Sequence, residues 1–245
     1  MTIKVVEVVR RSQQGVTQPF VCRADDGDLY FVKGRGAGYV SLAREWLAGG
    51  LATAFGLPIP SFAVLQVPTE LYELSKDGGL YDLGPGQVFG SREVPMANEI
   101  SMTEAVGIGK EIRRDIAVFD WWIMNGDRTL SQNGGNPNIL WSAVSGGPHI
   151  IDHNLAFDQR ITLSSLIHDH IFGHELSEVA DAPDLQDAFS KRFRSCLESW
   201  DQICAAMPER WRFLDELCSM ETGFSDKQAL AILRRYETLN MWNRN

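Results

Sequence analysis

The spacing of apolar residues changes along this 245-residue chain. Of all its sequence features, this change most strongly limits which folds the chain can adopt. In the first third, short runs of β-branched and aromatic residues alternate with turn residues, a pattern typical of strands. These runs are Ile3 to Val9, Phe20 to Cys22 and Leu29 to Lys33. Later in the chain, apolar residues recur every three or four positions, which is the spacing of a helix face.

Several helices and one irregular segment are predicted from these patterns. One helix spans roughly Ser41 to Phe55, and a second begins near Thr103 and ends at Gly126. A third apolar stripe runs from Leu185 to Ile203, and a last helix lies near Ala229 to Tyr236. The glycine-rich stretch from Lys76 to Gly90 predicts irregular backbone and a hinge.

The order of the predicted elements favours an α+β protein with two lobes. We expect a β-rich N-terminal lobe over residues 1–92, a mainly helical C-terminal lobe over residues 93–245, and a cleft between them. The glycine-rich stretch Gly34 to Gly38 follows the strand that ends in Lys33. Lys33 and this stretch therefore both lie in the predicted N-terminal lobe.

Composition narrows the class of protein. The apolar fraction of 44% and the charged fraction of 22% are ordinary for globular proteins. A net charge of -9 without a Lys/Arg-rich run argues against direct nucleic-acid binding. No apolar run reaches the ~18 residues of a membrane span, and the four cysteines form no CxxC pair. We therefore expect a cytoplasmic protein without a membrane partner.

The sharpest polar feature is a series of three segments that follows the second predicted helix. Apolar runs at Ile139 to Trp141 and His149 to Ile151 flank a Ser-Gly-Gly-Pro turn, which predicts a hairpin. Asn138 and Asp152 flank its open end, so we expect them to lie close together. The three segments are Asn125-Gly126-Asp127-Arg128, Asn136-Pro137-Asn138 and Ile151-Asp152-His153-Asn154.

These segments contain the groups that a phosphotransferase requires. One carboxylate orients the attacking hydroxyl, while an amide and a second carboxylate hold Mg²⁺ against the phosphates. Asp127, Asn138 and Asp152 supply groups of these types. A single residue of this kind more often caps a turn, but the ordered combination favours the functional interpretation.

The pattern resembles the HipA-like kinases and, more distantly, the phosphatidylinositol and protein kinases. The resemblance covers roughly residues 10 to 160. Besides the catalytic segments, it rests on three stretches: Gly15-Val16-Thr17-Gln18-Pro19-Phe20, Phe31-Val32-Lys33, and Arg44-Glu45-Trp46-Leu47 leading to Leu57-Pro58-Ile59-Pro60. It implies a two-lobed protein-kinase-like fold, ATP and Mg²⁺ as cofactors, and a serine or threonine hydroxyl of a protein as acceptor.

By this resemblance, Asp127 is the catalytic aspartate, Asn138 is a metal ligand, and Asp152 is the metal-binding aspartate of the D-F-G motif. His153-Asn154 replaces the F-G of that motif. The loop between Asp127 and Asn138 is longer than the compact form of the family, because it contains Ser131 to Gly135.

The resemblance also implies residues for nucleotide binding. Lys33 ends a predicted strand, where an ammonium can neutralise phosphate oxygens. Glu45, on the following helix, is the candidate ion-pair partner of Lys33. Gly15 and Thr17 lie in a turn that could cover the phosphates, although this turn lacks the G-x-G-x-x-G pattern.

Two other functions remain open from the sequence. His168, His170 and His174, with Asp169 or Glu175, could form the metal site of a hydrolase, although the H-E-x-x-H order is missing. Alternatively, the same fold could serve a nucleotide-binding pseudokinase or an enzyme that transfers another part of ATP.

Overall fold

Five strands close into a small barrel in the N-terminal region. The structure is a computed structural model that describes residues 2–12, 18–75, 79–131, 134–215 and 217–244. The barrel order is β1-β2-β3-β5-β4, and a parallel pairing of β1 with β4 closes it. The strands are β1 (Ile3–Arg11), β2 (Phe20–Ala24), β3 (Leu29–Lys33), β4 (Phe62–Val67) and β5 (Gly86–Arg92).

Strand β3 places alternate side chains on opposite sides of the barrel wall. Tyr30 and Val32 are buried in the barrel interior, whereas Phe31 and Lys33 line a cleft outside it. This alternation follows from the two-residue period of a strand. Lys33 pairs with Phe89 of β5, so backbone hydrogen bonding fixes the end of β3.

Strand β5 begins inside the segment Lys76 to Gly90, for which irregular backbone was predicted. The prediction was wrong for residues 86–90, because β5 pairs with β3 on one side and with β4 on the other. Val88 and Phe89 are buried there. Pairing on both sides and burial of these two residues outweigh the turn tendency of the surrounding glycines.

The helix predicted from Thr103 to Gly126 is in fact two helices, α3 (Met102–Gly107) and α4 (Lys110–Trp122). Ile108 between them has an extended backbone. Ser101 caps α3 through a reciprocal bond with Glu104, so α3 has its own start signal. The buried face of α4 nevertheless includes Ile116 and Phe119 of the predicted stripe.

Helix α1 (Tyr39–Phe55) connects the barrel to the C-terminal helices. It ends at Gly56, whose φ of 85° lies in the left-handed region that favours glycine at a helix end. Leu47, Leu51 and Phe55 are buried in the same core as residues of α4 and α7. The main core therefore extends across the predicted boundary at residue 92.

Apart from one short helix between β4 and β5, the remaining strands and helices form the C-terminal region. The predicted hairpin exists as β9 (Ile139–Ser142) and β10 (Gly147–Ile150), and β6 (Ala97–Glu99) extends it to a three-stranded sheet. Strands β7 (Thr129–Ser131) and β8 (Gly134–Asn136) form a separate pair. The other helices are α2 (Thr69–Ser75), α5 (Leu163–Asp169), α6 (Gly173–Ala180), α7 (Pro183–Leu197), α8 (Trp200–Ala206) and α9 (Asp226–Leu233).

The C-terminal stripe predicted from Leu185 to Ile203 is divided between α7 and α8. The last helix ends at Leu233, and Tyr236 lies in a 3₁₀ turn that follows it. Across the described ranges, every helix is too short or too polar to cross a membrane.

Candidate functional site

A cleft lies between the barrel and the β9–β10 hairpin. Phe31 and Lys33 of β3 line one side, and Asn138 and Asp152 at the open end of the hairpin line the other. The remaining wall is largely apolar. Its apolar residues include Ile59, Phe62, Phe89, Ile139 and Ile150.

Lys33 contacts two carboxylates that are distant from it in the sequence. Its Nζ donates to Oε2 of Glu45 at 2.9 Å and to Oδ1 of Asp152 at 2.6 Å. Burial alone would favour the neutral amine, but the two carboxylates hold the pKa of Lys33 above its ordinary value. Lys33 is therefore a fixed positive charge at the wall of the cleft.

Glu45 connects α1 to the segment that contains Asp152. Its Oε1 accepts a hydrogen bond from the backbone nitrogen of His153 at 3.1 Å, while its Oε2 contacts Lys33. Burial raises the pKa of Glu45 above its ordinary value, against the effect of Lys33. The structure thus brings Lys33, Glu45 and Asp152 together, as the sequence suggested for Lys33 and Glu45.

The hairpin places Asn138 and Asp152 side by side. Ile139 pairs with Ile150, and the next residue, Ile151, donates its N–H to the carbonyl of Asn138 at 3.0 Å. Asn138 and Asp152 have φ angles of 49° and 57°. Such conformations cost about 1–3 kcal/mol for a residue other than glycine and are concentrated at functional sites.

Asp152 is an ionised oxygen donor. Burial opposes its ionisation, but the neighbouring Lys33 holds the pKa of Asp152 below its ordinary value. The amide oxygen of Asn138 is the second oxygen donor at this end of the hairpin. Such a donor set suits Mg²⁺, which prefers one or two protein oxygens together with phosphate and water.

Asp127 lies next to both asparagines of the Asn136-Pro137-Asn138 segment. Its Oδ2 accepts hydrogen bonds from Nδ2 of Asn136 at 2.7 Å and from Nδ2 of Asn138 at 3.1 Å. Burial and the charge of Asp152 raise the pKa of Asp127, although the two amides act in the opposite direction. The carboxylate is half-buried.

A buried network that the sequence analysis missed supports these residues from behind. Arg128 is fully buried and donates to the Asp120 carboxylate through Nε at 2.6 Å. Its Nη1 donates to the carbonyls of Asn138 at 2.6 Å and of Ile151 at 3.3 Å. Asp120 also contacts Nε2 of His170 at 3.0 Å. The sequence contained one signal of this network, because Asp120 lies on the apolar face of the helix predicted from Thr103 to Gly126.

The histidine cluster predicted as an alternative metal site does not form. His170 is buried against Asp120, whereas the side chains of His168 and His174 are 88% and 81% exposed. In the ranges that the structure describes, no three His, Cys, Asp or Glu residues are grouped as a metal site requires. The hydrolase interpretation was therefore wrong, because its residues occupy different environments.

The glycine-containing stretches around Gly15 and from Gly34 to Gly38 differ in their relation to the cleft. Gly15 and Thr17 lie outside the described residues, and Ser12 and Pro19 on either side of that gap line the cleft. Arg35–Ala37 form a 3₁₀ turn flanked by Gly34 and Gly38, and a Cβ on Gly34 would overlap the carbonyl oxygen of Leu83. Gly34 thus allows close backbone packing outside the cleft.

His153 takes the place of the phenylalanine in the D-F-G comparison. It is buried with its ring edge-on to Phe119, at a centroid distance of 5.9 Å. Burial, with Arg128 nearby, lowers the pKa of His153 to about 4, so the ring is neutral at physiological pH. An aromatic contact of this kind is one that phenylalanine also makes.

Comparison with known proteins gives one family. A family model described as HipA-like kinase matches residues 5–245. No curated protein matches the chain. A similar solved structure is the crystal structure of the Helicobacter pylori proinflammatory kinase CtkA, with 11% sequence identity and a TM-score of 0.47 over 97% of this chain and 95% of that chain.

Proposed function

The chain belongs to the HipA-like kinase family, whose model matches nearly its whole length, and we propose that it transfers the γ-phosphate of ATP to a serine or threonine hydroxyl of a protein. The observation that carries this proposal is the convergence of five polar side chains. They are Lys33, Glu45, Asp127, Asn138 and Asp152. Four of them line the cleft, and the fifth, Asp127, contacts the cleft residues Asn136 and Asn138.

The cleft offers separate surfaces for the two parts of ATP. Its apolar wall, with Phe62, Phe89 and Ile150, suits a planar base. Lys33 supplies a positive charge for phosphate oxygens. Asp152 and Asn138 are the residues that would hold Mg²⁺, and the bound ion would neutralise charge on the phosphates.

Asp127 receives the role of orienting the acceptor hydroxyl. A carboxylate next to the metal ligands, but engaged by amides rather than by Lys33, is free to accept the proton of an incoming hydroxyl. Gly15 and Thr17 are assigned to cover the phosphates, since the residues on either side of them line the cleft.

Residues 1–92 and 93–245 are proposed to act as the two lobes of a kinase-like fold, with the nucleotide between them. This division is supported by the cleft walls, which come from the barrel on one side and the hairpin on the other. The absence of direct nucleic-acid contact is part of the proposal on the basis of the net charge of -9. A cytoplasmic location is also proposed, because the sequence contains no apolar run of the length of a membrane span.

Incubation with ATP, Mg²⁺ and candidate protein substrates, followed by mass spectrometry of protein and nucleotide, tests the proposal. A phosphoryl group on a serine or threonine together with ADP is the expected result. Transfer of a nucleotidyl group would instead identify another ATP-dependent transferase. Binding of ATP without any product would identify a pseudokinase.

Asp127→Asn should keep ATP affinity near that of the parent and lower phosphoryl transfer by about 10²-fold or more, because it removes the base but keeps the size. Asp158→Asn, on the segment after Asp152 but outside the cleft lining, is the matched control. Calorimetry and transfer assays on one preparation compare the two variants. Unchanged turnover in Asp127→Asn would remove this residue from the mechanism.

A further inference from the structure

The long loop between Asp127 and Asn138 contains a second asparagine, Asn136, that reaches the same carboxylate. Nδ2 of Asn136 lies 2.7 Å from Oδ2 of Asp127, which is shorter than the 3.1 Å contact of Asn138. Asn136 also lines the cleft. Two amides therefore donate to one oxygen of Asp127.

The two oxygens of the Asp127 carboxylate differ in their hydrogen bonds. Among the described residues, Oδ1 of Asp127 receives no side-chain or backbone hydrogen bond. An ionised carboxylate has about four acceptor sites on its two oxygens. Because both amides bind Oδ2, the lone pairs of Oδ1 remain available for an acceptor hydroxyl.

The backbone of Asn136 is fixed from both sides. On one side, the β7–β8 pairing places it opposite Thr129, whose Oγ1 accepts its N–H at 3.2 Å. On the other side, Pro137 restricts the residue before it to extended conformations. The carbonyl of Pro137 in turn accepts a bond from Arg128 at 3.3 Å.

Strands β7 and β8 pack closely at Gly135, the residue before Asn136. A Cβ on Gly135 would lie 2.5 Å from the carbonyl oxygen of Thr129, so a larger residue would push the two strands apart. Thr129 also forms an isolated bridge with His170, which anchors the pair to the buried network of Asp120 and Arg128. These contacts place the amide of Asn136 beside Asp127.

We propose that Asn136 is a positioning residue that holds Oδ2 of Asp127, so that Oδ1 is presented to the acceptor hydroxyl. This inference rests on the proposed phosphoryl transfer. It differs from the role of a metal ligand, which the position of Asn136 beside the cleft would also permit. A positioning residue affects the transfer step without changing the affinity for Mg²⁺ or ATP.

Asn136→Ala removes the donor, and Asn136→Asp keeps the size but replaces the donor with an acceptor. Loss of a hydrogen bond to a charged group should lower kcat about tenfold or more in both variants. In Asn136→Ala, the ATP affinity and its dependence on Mg²⁺ should match those of the parent. Asn136→Asp is compared by kcat alone, because it adds a carboxylate beside Asp127. Leu130→Ala is the matched control, because it alters the same β7–β8 pair and keeps the amide.

Steady-state kinetics, with Mg²⁺ and ATP varied separately, give the decisive comparison after thermal unfolding shows that the variants are folded. An equal loss of kcat in Leu130→Ala would mean that Asn136 acts only through the packing of the strands. A weaker dependence on Mg²⁺ in Asn136→Ala would make it a metal ligand. Parent-like kcat in both Asn136 variants would also overturn the proposal.

Failure of the proposed function gives a different result, namely that the parent protein itself transfers nothing. In that case, crystal structures of the parent and of Asn136→Ala decide the positioning role. Rotation of the Asp127 carboxylate only in the variant supports the inference, and an unchanged carboxylate overturns it.

Discussion

At the scale of single residues, the ammonium of Lys33 is shared by two carboxylates in different surroundings. Both line the cleft, but Glu45 is buried and bonded to the backbone of His153, whereas the Asp152 side chain is 24% exposed. Removing one partner of a buried ion pair is usually costly because a charge is left alone. Lys33 would keep Glu45 after loss of Asp152, so the metal role of Asp152 can be tested in a folded protein.

Asp152→Ala should weaken the Mg²⁺-dependent part of ATP affinity by about tenfold or more, because it removes the charged ligand. Calorimetric titration of ATP with Mg²⁺ and with a chelator measures that part directly. Asp158→Ala serves as the control on the same segment. Equal metal dependence in Asp152→Ala and the parent would reject the assignment.

At the scale of elements, the glycine-rich stretch after β3 is explained by packing against a neighbouring turn. The 3₁₀ turn Arg35–Ala37 lies against a second 3₁₀ turn, Leu80–Asp82, and the N–H of Arg35 donates to the carbonyl of Leu83 at 3.3 Å. A Cβ on Gly36 would lie 2.6 Å from Cβ of Asp82. The two turns can approach this closely only where side chains are absent.

Gly34→Ala should lower the free energy of unfolding by about 1–3 kcal/mol, because its methyl group would overlap backbone atoms of Leu83. Gly107→Ala at the end of α3 is the control, since a Cβ there meets nothing within 4 Å. That change should be neutral or stabilising by up to about 1 kcal/mol. Denaturant titration compares the two variants. Weakened ATP binding in Gly34→Ala at unchanged stability would contradict the packing explanation.

At the scale of the whole molecule, α1 belongs to the N-terminal region in sequence and to the main core in space. Gly49 faces the ring of Phe62 in the barrel, and Gly50 faces Ile203 of α8. The indole of Trp46 donates to the carbonyl of Ile203 at 2.9 Å. The helix is therefore enclosed on both sides. The barrel interior is formed by N-terminal residues alone, but the core around α1 is completed only by the C-terminal helices.

A fragment of residues 1–92 should fail to fold cooperatively, because Leu47, Leu51 and Phe55 would each lose about 1.5–3 kcal/mol of burial. Thermal melting followed by near-ultraviolet circular dichroism should show one transition for the full chain and none for the fragment. A mixture of fragments 1–92 and 93–245 is the control for reassembly. Cooperative melting of the isolated fragment would show that the barrel is an independent unit.

Much of the local structure could be predicted from the sequence, because its signals are short-range. The alternation in Leu29–Lys33 placed Lys33 at the end of a strand, and the two apolar runs around a glycine turn predicted the hairpin. The hairpin then implied that Asn138 and Asp152 are neighbours, as they are. The order of Asp127, Asn138 and Asp152 predicted phosphoryl transfer, and the roles of these three residues stay a prediction.

Contacts between distant segments were decided only by the tertiary structure. Strand β5 forms in a glycine-containing segment because β3 and β4 pair with it on both sides. Arg128 supports Asn138 because its side chain is held in the core by Asp120, which lies eight residues before it. Asp120 in turn contacts His170, which lies fifty residues further along the chain. Such pairings depend on burial and on long-range hydrogen bonds, which local propensity does not encode.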